Sequence, residues 1–93
     1  MERVKYSLVY HRAVKKDVSR IPKRDREEIQ KLIEEKLRYT PLLVGEALRG
    51  NLSHYRKLRI ASYRVVYRVE ENEVFIIAIL HRREVYQRMR KRV

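Results

Sequence analysis

A chain of 93 residues, 44% hydrophobic and without cysteine, is long enough for one two-layer domain over 1–93 and excludes disulfides and thiolate metal sites. No apolar run approaches the roughly 20 residues that span a bilayer, and the opening MERVKYSLVYHR lacks the apolar stretch of a secretory signal, so a cytoplasmic protein with no membrane partner is expected. Twenty-four Lys and Arg against 12 Asp and Glu leave a net charge of +12, which favours a nucleic acid or an acidic protein as partner.

VKYSLVY, Val4 to Tyr10, alternates as a first strand. In HRAVKKDVSRIP, Ala13, Val14, Val18 and Ile21 fit one face of a short helix that stops before Pro22. Pro22 opens a second helix, KRDREEIQKLIEEKLRYT, striped by Ile29, Leu32, Ile33 and Leu37. So short a link predicts an antiparallel helical hairpin. PLLVGEALRGNLS reads as a connection punctuated by Gly45 and Gly50. Strands follow at 55–60 and 63–70, joined at Ala61-Ser62, and EVFIIAIL makes a last strand, apolar on both sides, that must be central or doubly covered. RREVYQRMRKRV closes the chain as a basic tail or short helix. Strand, two helices, three strands and tail predict an α+β fold, with the hairpin on one face of an antiparallel sheet of about four strands.

Alternation then assigns the cations. Leu58 and Ile60 oppose Lys57 and Arg59; Tyr63, Val65, Tyr67 and Val69 oppose Arg64 and Arg68. With the apolar sets under the helices, Lys57, Arg59, Arg64 and Arg68 share the uncovered face. No acid lies between Glu46 and Glu70, while Asp25, Glu27, Glu28, Glu34 and Glu35 gather on the second helix. Like charges across strands repel, so their retention points to an anionic ligand. Arginines outnumber lysines sixteen to eight, and guanidinium forks suit phosphate. Charged residues at 39% with only four Asn and Gln also suit a heat-adapted protein, but ion-pair networks need both signs. His11, His54 and His81 have no metal-ligand spacing, so no cofactor or metal is expected.

LRGNLSHYRKLRIASYRVVYRV followed by ILHRREVY resembles the RelE/ParE superfamily of toxins. The carriers are Leu48-Arg49-Gly50, Arg59, Tyr63-Arg64, Tyr67, His81-Arg82 and Val85-Tyr86, in that order. The basic ending with its tyrosine is RelE-like. The resemblance implies a type II toxin that cleaves mRNA in the ribosomal A site without metal, by attack of the 2′-hydroxyl on its own phosphate. It implies as partners the ribosome, mRNA and an acidic RelB-like antitoxin; reading of DNA is left to the antitoxin.

By position, the resemblance makes Lys57, Arg64, Arg82 or Arg83, and Tyr86 the catalytic set. A further strand lysine of the family falls on Tyr55, with Arg56 beside it. Lys57 would serve as base, since a lysine among like charges gives up its proton more readily than one alone. Arg64 would hold the transition-state charge, Arg82 or Arg83 would assist the leaving oxygen, and Tyr86 would stack a base or orient the 2′-hydroxyl. Arg49, Arg56, Arg59, Arg68, Arg88 and Arg90 are the expected RNA and ribosome contacts. Two other readings stay open: a ParE-like inhibitor of DNA gyrase with no ribonuclease activity, and a non-catalytic RNA-binding domain.

Overall fold

The computed structural model describes residues 4–93. β1 (Ser7–Tyr10) leads into α1 (Val14–Ser19) and α2 (Lys23–Leu32), which runs on through a π-helical turn, Ile33–Leu37. β2 (Glu46–Ala47) and a 3-10 turn (Gly50–Leu52) precede β3 (Arg56–Ile60), β4 (Tyr63–Glu70), β5 (Glu73–His81) and α3 (Val85–Arg92). Pro22 caps α2 in an extended conformation, φ −54° and ψ 145°, which separates the two helices after Ile21. Ile29, Ile33 and Leu37 recur every four residues and are all buried. Steps of four overshoot a 3.6-residue turn, and the wider π turn brings Leu37 back over the sheet.

The α+β architecture, with helices packed on a sheet and a helix at the C-terminus, is as the sequence predicts. Three details differ. The sheet has five strands in the order β1-β5-β4-β3-β2, because two residues of the expected connection pair with β3. It is mixed, since β1 runs parallel to β5 from Ser7 opposite Glu73 to Tyr10 opposite Ile76. α1, α2 and the strands β2, β3 and β4 all lie between β1 and β5 in the chain, a connection long enough to allow a parallel pairing.

The third difference concerns the face opposite the helices, which is not bare. On the helix side, Val14, Ile21, Ile29, Ile33 and Leu37 close over Leu58, Ile60, Val65, Tyr67, Val74, Ile76 and Ile79. On the other side, Leu48, Leu52 and Tyr55 join Val85 and Met89 of α3 over Val66, Ile77, Ala78 and Leu80. Met89 is fully buried, worth about 1.5–3 kcal/mol. β5 is thus both internal and covered twice, which is why it is apolar throughout. No helix among the described residues is long and apolar enough to cross a membrane.

Candidate functional site

Paired residues in a sheet share a face, so register decides what the cations see. Glu46 lies opposite Lys57, Lys57 opposite Val66, and Arg59 opposite Arg64, whose partner on β5 is Leu80. This places Lys57, Arg59, Arg64 and Arg68 on one face with the second core. α3 covers the β5 side of that face and leaves the β3 side to the charges. The expected uncovered sheet is therefore a cationic half-face walled by α3.

Arg64 sits at the hairpin between β3 and β4. Its Nη1 donates to the Ala61 carbonyl at 3.1 Å and the Tyr63 carbonyl at 2.8 Å. Ala61 holds φ at +53°, and the guanidinium braces that turn. Among the described residues Nε and Nη2 of Arg64 meet no hydrogen-bond acceptor. Burial, with the charges of Arg59 and Arg82 added, keeps this guanidinium below its ordinary value, and Glu46 acts in the opposite direction. Arg82, whose amide bonds to the Ser62 carbonyl at 2.8 Å, is thus the C-terminal arginine felt at Arg64. Arg83 is exposed, and its amide donates to His81 Nδ1 at 3.3 Å.

Tyr86, on the first turn of α3, is ringed by cations. Arg49, Lys57 and Arg90 stand 5.0, 5.7 and 6.0 Å from the ring centroid. The Arg49 amide and Nε donate to the Tyr86 hydroxyl at 3.2 and 3.3 Å. Burial alone would raise the phenol, but both Arg49 hydrogen bonds and the Lys57 and Arg49 charges outweigh it, so Tyr86 ionises below its ordinary value. A shallow cavity lies between Tyr86, Arg90 and the turn from Arg49 to Leu52. Arg90, Tyr86, Arg49, Lys57, Arg59, Arg64 and Arg82 therefore form one continuous band.

Three expected contacts, Arg56, Arg68 and Arg88, are taken up by other partners. Arg56 points to the helix side, where Nη2 donates to the Leu42, Val44 and Gly45 carbonyls at 3.5, 3.3 and 3.0 Å. Its neighbour Tyr55 is buried in the second core, so neither supplies the extra strand cation. Arg68 pairs with Glu70 at 2.9 Å and lies over Phe75 at 4.2 Å. Arg88 pairs with Glu84 at 3.1 Å. These three arginines serve their own neighbourhoods, while the Arg83 side chain makes no hydrogen bond or ion pair among the described residues.

Glu46 is the group that sequence reasoning missed. It marks the start of the acid-free stretch, and only the pairing of β2 with β3 shows that it faces Lys57. The crowd of like charges expected round Lys57 is broken by this carboxylate. Among the described residues no three His, Asp or Glu side chains are grouped to hold a metal ion.

A family model described as the ParE toxin of type II toxin–antitoxin systems, parDE, matches residues 8–86. No curated protein matches the sequence. Among solved structures, the toxin–antitoxin complex RelBE2 from Mycobacterium tuberculosis contains a chain 26% identical, with TM-score 0.78, over 86% of this chain and 94% of that one. The YoeB/ParE toxin from Agrobacterium tumefaciens is 30% identical, with TM-score 0.66, over 81% and 96%. The E. coli toxin RelE, a mutant in the free state, is 26% identical, with TM-score 0.66, over 96% and 98%. With the fold, the basic band and this match in agreement, the chain belongs to the ParE toxin family of type II toxin–antitoxin systems, within the RelE/ParE superfamily.

Proposed function

We propose that this toxin is an endoribonuclease that cuts mRNA in the ribosomal A site. The observation that carries the reading is the band itself: Lys57, Arg64, Arg82 and Tyr86 meet on one half-face, with two guanidinium nitrogens of Arg64 open to an anion. Arg64 and Arg82 bind the scissile phosphate and offset the charge it gains when the 2′-oxygen attacks. Lys57 and Glu46 face each other across β3 and β2, and this pair takes the 2′-hydroxyl proton. Tyr86 stacks on a base or orients the 2′-hydroxyl, and Arg49 and Arg90 hold neighbouring phosphates. The bond from phosphorus to the 5′-oxygen breaks, that oxygen takes a proton from solvent with its negative charge offset by Arg82, and a 2′,3′-cyclic phosphate and a 5′-hydroxyl are left. The ribosome supplies the positioning that so open a site lacks.

An acidic antitoxin is the proposed partner that silences the toxin. The RelBE2 relative is a toxin–antitoxin complex, and a net charge of +12 favours an acidic chain laid over the band. The matched family favours a second reading, in which the target is DNA gyrase and the band binds protein. Product chemistry separates the two. Programmed ribosomes given the toxin should yield message fragments ending in 2′,3′-cyclic phosphate, with gyrase supercoiling unaffected. Intact message together with blocked supercoiling would reverse the assignment.

A further inference from the structure

At its middle β5 carries one residue more than β4. Val66 pairs with Ala78 and Tyr67 with Ile76, so Ile77 has no partner on β4. The bulge comes where β1 ends its own pairing, at Tyr10 opposite Ile76. Past that point no strand among the described residues flanks β5 on the β1 side, and the backbone groups of Ile77 and Ile79 need other partners. Two side chains take the place of the missing strand. Asp17 Oδ2, on α1, accepts from the Ile79 amide at 3.0 Å, and Arg92 Nη1, in the last turn of α3, donates to the Ile77 carbonyl at 3.0 Å. The two then close on each other as a bidentate pair at 2.7 and 2.9 Å. Both are largely dry, with side-chain exposures of 3% for Asp17 and 13% for Arg92.

Two charges drawn out of water gain little net stability from each other, but a satisfied buried pair fixes geometry. The geometry fixed here is that of α3. Val85, Met89 and Arg92 follow at i, i+4 and i+7 along the side of α3 that meets the sheet. Val85 and Met89 are apolar and hold the helix down without direction. Among the described residues Arg92 alone ties it, through side-chain hydrogen bonds, to α1 and β5. Tyr86 and Arg90, at i and i+4 on the adjoining side, are thereby turned toward Arg49 and Lys57.

We propose that Asp17 and Arg92 are positioning residues for Tyr86: their ion pair, built into the gap beside β5, sets the rotation of α3 and so brings the Tyr86 hydroxyl onto Arg49. Neither touches RNA, and their part in cleavage rests on the ribonuclease reading above. The test follows the ionisation of Tyr86 by carbon NMR of tyrosine-labelled protein, its signal assigned by its absence from Tyr86→Phe. Wild type is compared with Asp17→Asn, with Arg92→Lys, and with the double variant Asp17→Asn/Arg92→Gln, which leaves no lone buried charge. The Tyr86 titration should move up toward an ordinary phenol in Asp17→Asn and in the double variant, and less in Arg92→Lys. Cleavage on ribosomes should fall on the order of tenfold to a hundredfold with it. A folded double variant whose Tyr86 titrates as in wild type would overturn the proposal. If the titration moves while wild type cuts no message, the positioning stands and the ribonuclease reading fails.

Discussion

Arg64 does two jobs with one guanidinium. Nη1 braces the strained turn at Ala61, and the remaining nitrogens face the band. Arg64→Ala should lower ribosome-dependent cleavage on the order of 10²–10³-fold, the range for loss of one transition-state donor. Arg64→Lys should recover only part, since an ammonium cannot fill both roles. Tyr86 gives a separate test through pH. Its phenol is shifted down, so the neutral hydroxyl is present at low pH and lost as pH rises through a value below the ordinary phenol, about 10. If that hydroxyl orients the substrate, cleavage should decline on the alkaline side before pH 10, and Tyr86→Phe should be slower but lack that decline. Rate profiles of the two proteins, on ribosomes shown intact across the range, decide it.

At the scale of elements, the loop between α2 and β3 is held to the sheet by polar groups that look out of place in a strand. Tyr67 is fully buried, yet its hydroxyl lies 2.7 and 2.9 Å from the Pro41 and Val44 carbonyls. With Arg56 it pulls that loop against the helix side of the sheet, which sets β2, and therefore Glu46, beside Lys57. Tyr67→Phe should cost about 1–3 kcal/mol in denaturant unfolding, as the Pro41 carbonyl loses its donor while Arg56 still serves Val44. Gly45, at φ +73°, lies so close that an added Cβ would stand 2.6 Å from the Lys57 carbonyl and 2.8 Å from the Tyr67 hydroxyl. Gly50, at φ +65°, has nothing within 4 Å of that position. Alanine at either position meets the left-handed penalty of about 1–2 kcal/mol, and overpacking should add about 1–3 kcal/mol at Gly45 alone. Equal unfolding midpoints for Gly45→Ala and Gly50→Ala would contradict this packing.

The strands and helices were legible because their apolar periods are strong, as in Ile29, Ile33 and Leu37 or in Tyr63, Val65 and Tyr67. β2 was not, because two residues carry no period. The second core was hidden for a related reason. Leu48, Leu52 and Tyr55 come from a stretch with loop chemistry, and only the fold brings them over Val66 and Ala78. At the site, alternation placed Lys57, Arg59 and Arg64 together correctly. It could not show that Arg68 and Arg88 have acids of their own or that Arg56 serves a loop, since those partners are set by tertiary contact. Asp17 left one faint mark, an acid three residues after Val14 on the buried side of α1.

For the whole molecule, the +12 charge is unevenly spent. Arg38 pairs with Glu34, Arg68 with Glu70, Arg88 with Glu84 and Arg92 with Asp17, while among the described residues Lys57, Arg59, Arg64 and Arg82 form no ion pair, and Glu46 lies opposite Lys57 in the sheet. If those four cations meet phosphates, affinity for single-stranded RNA should fall with salt with a log–log slope of about −3, and loss of one should lessen it by about 0.7. The central claim is that this band cuts RNA, and the direct measurement maps new message ends on ribosomes programmed with a defined message, wild type beside Arg64→Ala. On that claim, cuts within the A-site codon that disappear with Arg64→Ala are expected. Message left intact by folded wild-type protein, or cut equally by both, would contradict it.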